Sequence, residues 1–175
     1  LLSLSTGPLV TFLPVFAKDI FRVGEVGFGL LQAAFGLGAV IGSFGFSKLY
    51  QLFTDKHGFL VFLLIIISLS MAIFSYAPLF IFAFLAIFLG GWAGATLMTL
   101  VRTSVHEQVP NHLRGRLVSY YSLVLIGGTP VGALLGSVGV TTIGIRLTVL
   151  LAALFFGVTT LILIKNFDKR YIKFI

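Results

Sequence analysis

Long apolar runs separated by short polar links dominate this chain. The longest uncharged run, residues 59–101, contains no Asp, Glu, Lys or Arg. As a single helix it would be about 64 Å long, roughly twice the thickness of the bilayer hydrocarbon. The run therefore predicts two helices, and Pro78 marks the break because proline disfavours the α conformation in the residue before it.

The same reasoning, applied to every apolar run, predicts six transmembrane helices. A charge at mid-membrane costs about 2.5–3.5 kcal/mol, so charged residues mark the helix ends. The predicted spans cover residues 1–17, 26–48, 59–77, 79–105, 116–138 and 147–164. The first span is expected to be truncated, because the chain begins inside an apolar run, and the chain is expected to be a fragment. Residues 139–144 are predicted to form a turn, and residues 165–175 a basic, aromatic tail.

Composition favours a membrane protein over a soluble domain. Hydrophobic residues make up 58% of the chain and charged residues only 10%, whereas soluble domains carry roughly 25% charged residues. A soluble fold of this size needs a polar surface, and lipid removes that requirement. The predicted fold class is an all-α integral membrane protein.

The basic residues behind the net charge of +7 indicate the orientation of the chain in the membrane. The basic residues lie in the links without a nucleic-acid motif, so no nucleic acid partner is expected. Nine fall on one side of the six predicted spans, and three (Lys18, Arg22 and Arg146) on the other. The positive-inside rule then places the link at residues 109–116 and the C-terminus in the cytoplasm. We expect an integral protein of the plasma membrane, which in a bacterium is the inner membrane.

Candidate chemistry is sparse. Cysteine is absent, which excludes disulfides and thiolate metal sites. His106, Glu107 and His112 do not have the His-Glu-x-x-His spacing of a zinc site, so no metal is expected. No Asp, Glu or His lies deep in a predicted span, so these residues offer no proton relay.

Glycine spacing predicts close helix packing. Gly38 and Gly42 in the second span, and Gly128, Gly132 and Gly136 in the fifth, recur at four-residue intervals that allow helices to approach closely. Pro130 removes a helix hydrogen bond and permits a kink. The middle helix of each predicted triplet is glycine-rich, which indicates an internal repeat. Two three-helix units of opposite orientation are typical of the inverted repeats of secondary transporters.

Several short motifs resemble one transporter family. Residues 109–117 read Val-Pro-Asn-His-Leu-Arg-Gly-Arg-Leu, which resembles the link between helices ten and eleven of major facilitator superfamily exporters. Residues 14–19 resemble the end of helix seven, residues 27–38 the start of helix eight, and residues 128–132 part of helix eleven. The subgroup is similar to the enterobactin and macrolide efflux transporters.

The resemblance implies the C-terminal half of a twelve-helix fold, helices seven to twelve. It implies a secondary active transporter that exports small organic molecules of the drug or siderophore type by alternating access. The implied partners are the lipid bilayer, an N-terminal six-helix half and a small-molecule substrate. The implied energy source is an ion gradient, that of the proton, without a cofactor.

Three groups of candidate residues follow, each with a structural alternative. The substrate-cavity candidates are Gln32, Trp92, Thr96, Tyr121 and Thr129. The alternative is that their side chains form hydrogen bonds between helices. The cytoplasmic gate candidates are Arg102, Glu107, Arg114, Gly115 and Arg116, with Glu107 as a partner for an arginine; topology and headgroup contact are the alternative. The glycines are predicted to face the other half or, alternatively, to pack within this chain, and Pro130 is predicted to kink its helix.

Two other classes of protein remain open from the sequence. A membrane-embedded enzyme would need polar groups that converge near one interface, and only the region from His106 to His112 offers any. A complete six-helix membrane protein that acts as a dimer is the other alternative.

Overall fold

The computed structural model describes residues 11–53, 56–108 and 111–166, and these residues form helices without a strand. Helix α1 covers residues 11–20 and ends in the π-helix Phe16–Ile20. The other helices are α2 (Gly24–Leu52), α3 (Lys56–Tyr76), α4 (Phe80–Gln108), α5 (Asn111–Ile143) and α6 (Ile145–Asn166). Residues 1–10 of the predicted first span and residues 167–175 of the predicted tail lie outside the described residues.

Four helices within the described ranges are long and apolar enough to cross a membrane. Their spans are Gly24–Phe46, Gly58–Tyr76, Phe80–Ser104 and Ile145–Ile162. The prediction of an all-α integral membrane protein is confirmed at this level. The count of six spans and the inverted repeat stay predictions.

The turn predicted at residues 139–144 is wrong in extent. Helix α5 continues to Ile143, and only Gly144 interrupts it, with a φ of +87° that favours glycine. Gly139 serves packing instead, because a Cβ placed there would lie 2.8 Å from Thr148 Cγ2 on α6. The helix also runs through Pro130 without ending.

Helix α4 holds the centre of the bundle. It packs along α2 on one side and α3 on another; α3 packs on α6, α6 on α5, and α1 on α2. One apolar core includes Phe16, Leu31 and Phe74, and a second includes Phe59 and Leu100. The two cores lie toward opposite ends of α4, since the first contains Ala83 and the second Leu100.

Helices α2 and α4 meet backbone to backbone. A Cβ at Gly38 would overlap the carbonyl oxygen of Phe88 and lie 2.9 Å from the amide nitrogen of Trp92. A Cβ at Gly42 would overlap the carbonyl oxygen of Trp92, and Gly91 of α4 is equally close to Phe35 of α2. Gly38 and Gly42 therefore face α4 of the same chain, which is the alternative of packing within the chain, and not a surface open to another half.

The glycines of α5 are less exposed than a free interface requires. Gly132 and Gly136 are buried within the chain, and Gly128 is half-buried. Whether these glycines face another half or pack within the chain stays a prediction.

Replacing Gly38 by Ala is expected to lower the free energy of unfolding by about 1–3 kcal/mol, because the new methyl group meets rigid backbone. Gly36→Ala is the matched control, since Gly36 is exposed and a Cβ there meets nothing within 4 Å. The control should leave stability unchanged or raise it by up to about 1 kcal/mol through helix propensity. Thermal unfolding of both purified variants checks this, and equal melting temperatures would contradict the backbone contact.

Candidate functional site

Helix α2 has one buried side and one exposed side. Leu31, Ala34 and Gly42 are buried toward the bundle. At 3.6 residues per turn, the exposed side carries a polar strip and an apolar strip, with Ala33 and Val40 exposed between them. The polar strip consists of Gly29, Gln32, Gly36 and Ser43, all exposed. The apolar strip consists of Val26, Leu30, Leu37, Ile41 and Phe44, also exposed.

The amide of Gln32 is the main feature of the polar strip. Gln32 lies eight residues after Gly24, about 12 Å along the span, and its amide makes no hydrogen bond to any residue that the structure describes. Gly29 and Gly36 flank it one turn away on each side, and a Cβ at either position would meet nothing within 4 Å. The amide is thus left uncovered by its own helix.

An uncovered amide at this depth does not suit contact with lipid. Moving an amide into an apolar medium without a hydrogen bond costs roughly 2–7 kcal/mol. The polar strip therefore fits water, a ligand or a polar protein surface. The apolar strip, in which Leu37 is 56% and Phe44 is 85% exposed, fits acyl chains or an apolar protein surface.

The cavity candidates on α4, Thr96 and Trp92, pack within the bundle. Thr96 is fully buried, and its hydroxyl donates to the carbonyl oxygen of Trp92 at 2.7 Å. The same hydroxyl oxygen would lie 2.8 Å from a Cβ at Gly42, so it fills the contact between α2 and α4. Trp92 is partly buried against the core that contains Leu100. The side chain of Thr96 and the backbone of Trp92 therefore lie on the side of α2 away from the polar strip.

The cavity candidates with described side chains lie in different surroundings. Gln32 is exposed on α2, Thr96 is buried between α2 and α4, and Thr129 is half-buried on α5. The side chain of Tyr121 lies outside the described residues. Gln32 is the candidate that the structure leaves accessible.

Exposed hydroxyl groups on α5, unlike the amide of Gln32, form hydrogen bonds within their own helix. Ser119 donates to Gly115 O at 2.9 Å, Ser137 donates to Leu134 O at 2.8 Å, and Thr141 bonds in the same way within its helix. A hydroxyl that bonds a carbonyl three or four residues earlier is already satisfied. Such groups tolerate an apolar surrounding and need no ligand.

The predicted gate lies where α4 ends and α5 begins. Arg102, Gly115 and Arg116 are exposed, and neither arginine forms an ion pair with a described residue. A surface groove of about 370 Å³ runs along the first turns of α5, between Arg116 and Leu123. The side chains of Glu107 and Arg114 lie outside the described residues, so their pairing stays a prediction.

No metal centre is present among the residues described. No three side chains of the His, Cys, Asp or Glu type come together there in a geometry that could hold a metal ion.

Comparison with known proteins identifies the family. The model of the transmembrane secretion effectors, a family of the major facilitator superfamily, matches residues 1–170. The chain therefore belongs to this family. It is a family of membrane transporters, and the assignment removes the membrane-embedded enzyme as an alternative.

Individual relatives are enterobactin exporters. The chain is 30% identical over 141 residues to the enterobactin exporter EntS of Shigella flexneri, which covers 79% of the chain and 33% of that exporter. It is 30% identical over 123 residues to the enterobactin exporter of Escherichia coli O81 (strain ED1a), which covers 69% of the chain and 29% of that protein. The matches span about a third of the length of these relatives. No solved structure gives a significant match.

Water should reach position 32 but not position 37. The chain contains no cysteine, so Gln32→Cys or Leu37→Cys introduces a single thiol into it. A maleimide reacts with the thiolate, which forms in water. We expect a charged maleimide to label Gln32→Cys at least several-fold faster than Leu37→Cys in membrane vesicles opened to both sides. Equal labelling of the two variants, which are both exposed on the same helix, would contradict the division of α2 into two strips.

Proposed function

We propose that this chain is the C-terminal six-helix half, helices seven to twelve, of a twelve-helix exporter. The exporter moves small organic molecules of the drug or siderophore type out of the cell by alternating access. The family match over residues 1–170 supports transport. The enterobactin exporters among the relatives support export.

The polar strip of α2 is the observation that carries this proposal. One helix exposes an uncovered amide, Gln32, beside a continuous apolar strip. A helix with these two surfaces fits the wall of a transport cavity, where one strip faces the aqueous path and the other faces apolar groups. Gln32 is then the substrate-contacting side chain of this half, with Gly29 and Gly36 leaving room for the substrate beside it.

The proposed partner is an N-terminal six-helix half of the same protein. Helix α5 leaves Leu123, Leu134 and Leu135 between 67% and 70% exposed, and its contacts within the chain are mainly with α6. These surfaces are available for the other half, and movement of the halves about the cavity provides alternating access.

The proposed energy source is an ion gradient, that of the proton. The spans in the described residues carry no Asp, Glu or His deep in the hydrocarbon. The carboxylates that couple transport to the ion therefore belong to the other half. The asymmetry of Lys and Arg supports a location in the inner membrane with a cytoplasmic C-terminus.

Replacing Gln32 by Leu is expected to lower export by about two- to tenfold, the range that the loss of one hydrogen bond predicts. Enterobactin is the first probe, measured as its release from cells that lack their own exporter. Gln32→Asn should retain part of the activity because it keeps the amide. Leu37→Ile is the control on the apolar strip and should export normally. Normal export by Gln32→Leu, at an unchanged amount in the membrane, would remove Gln32 from the cavity.

The gate proposal predicts a separate defect. Arg114→Gln combined with Arg116→Gln should lower export by up to about fivefold, which corresponds to the loss of a surface ion pair. Membrane insertion should be unaffected. Lys18→Gln, at an exposed cation at the opposite end of the bundle, is the control and should export normally. If the double variant and the control behave alike, the arginines serve topology only.

A further inference from the structure

A long groove lies between α3 and α6, away from the polar strip of α2. Its volume is about 420 Å³, within the range of roughly 300–1,000 Å³ typical of ligand sites. Its walls are aliphatic: Leu64, Ile65 and Leu69 from α3, and Leu154, Val158 and Leu161 from α6. The groove extends over about 12 Å of α3, from Leu64 to Ala72.

Close helix contact forms the floor of the groove. A Cβ at Gly157 would lie 2.8 Å from Ser68 Oγ, so the absence of a side chain there lets α6 approach α3. The hydroxyl of Ser68 donates to Ala153 O at 3.1 Å, and that of Thr160 donates to Phe156 O at 2.8 Å. Both hydroxyl groups are hydrogen-bonded within the protein, so a molecule in the groove need not supply a hydrogen-bond partner. The groove is therefore suited to a purely apolar chain.

The groove opens on a surface that fits lipid. Both of its helices contain candidate membrane spans, Gly58–Tyr76 and Ile145–Ile162. Its rim residues are strongly exposed, with Leu69 at 57% and Leu161 at 61%. Within a bilayer, an acyl chain is the apolar molecule present at high concentration beside such a rim.

Basic residues lie beyond one end of the groove. Helices α3 and α6 run antiparallel, since Ser75 bonds the backbone of Arg146 and Ser68 that of Ala153. Leu64 and Leu161 therefore mark the same end. Lys165 follows Leu161 by one helical turn, about 6 Å, and Lys56 precedes Leu64 by about 12 Å.

We propose that this groove is a binding site for an anionic phospholipid. The acyl chain lies between α3 and α6, and the negative headgroup lies at the end marked by Lys56 and Lys165. Basic residues between transmembrane helices favour anionic headgroups over zwitterionic ones. The site is independent of the transport proposal, because it uses neither the polar strip nor the predicted gate.

Tryptophan quenching by brominated lipids tests the site in the full chain. Trp92 is the single tryptophan of this chain, so Trp92→Phe, together with replacement of every tryptophan in the other half by Phe, provides a silent background. Leu161→Trp places a reporter in the groove. Ile162→Trp is the matched control at the same depth, because Ile162 is 52% exposed but lies outside the groove. Each variant is reconstituted with brominated phosphatidylglycerol or brominated phosphatidylcholine in unbrominated phosphatidylcholine.

The proposal expects Leu161→Trp to bind the brominated phosphatidylglycerol about fivefold or more tightly than the brominated phosphatidylcholine. The Ile162→Trp reporter should give a ratio near one. Adding Lys56→Gln and Lys165→Gln should bring the Leu161→Trp ratio toward one. Val158→Trp, one turn earlier in the groove, is a second reporter and should show the same preference.

Three results would overturn the proposal. Equal ratios at positions 161 and 162 would mean ordinary lipid contact. Absence of quenching by either lipid at both 158 and 161 would mean that protein covers the groove. A preference that survives the two lysine replacements would mean that the headgroup is not recognised at this end.

Discussion

The bundle depends on the backbone contact between α2 and α4. Helix α3 packs on α4, and α6 packs on α3, so this contact joins α2 to the remaining helices. Lipid tails are as apolar as leucine, so helices in a membrane gain little from hiding apolar side chains. Close van der Waals contact must supply the attraction instead. Gly38, Gly42 and Gly91 supply it by removing the side chains that would separate the two backbones.

This contact also decides which surfaces remain for function. The side of α2 that carries Gly38 and Gly42 is occupied by α4, so a ligand has access only to the opposite side. That side carries Gln32 between two glycines whose surroundings are open. Glycine thus has two uses in one helix: at Gly38 and Gly42 it admits a neighbouring backbone, and at Gly29 and Gly36 it leaves a polar group uncovered.

The sequence predicts where the helices lie along the chain better than it predicts which helices pack together. Charges and Pro78 divide the apolar runs, and α3 and α4 meet on either side of Pro78. Gly36 and Gly38 look equivalent in the sequence, yet they lie 200° apart on the helix at 100° per residue, and only the packing shows which one meets α4. Gly139 was expected in a turn because glycine is common there; its contact with Thr148 depends on α6, which a local pattern cannot include. Thr96 and Gln32 are both polar residues in apolar spans, but a threonine hydroxyl can bond its own helix.

The link between α5 and α6 has one consequence for how the protein can vary. Gly144 is the sole residue between the two helices. An inserted residue would rotate α6 by about 100° relative to α5 if the helix simply continued. Such a rotation would move Thr148 away from Gly139 and turn Leu161 out of the groove with α3. The hairpin is therefore expected to keep its length among related chains.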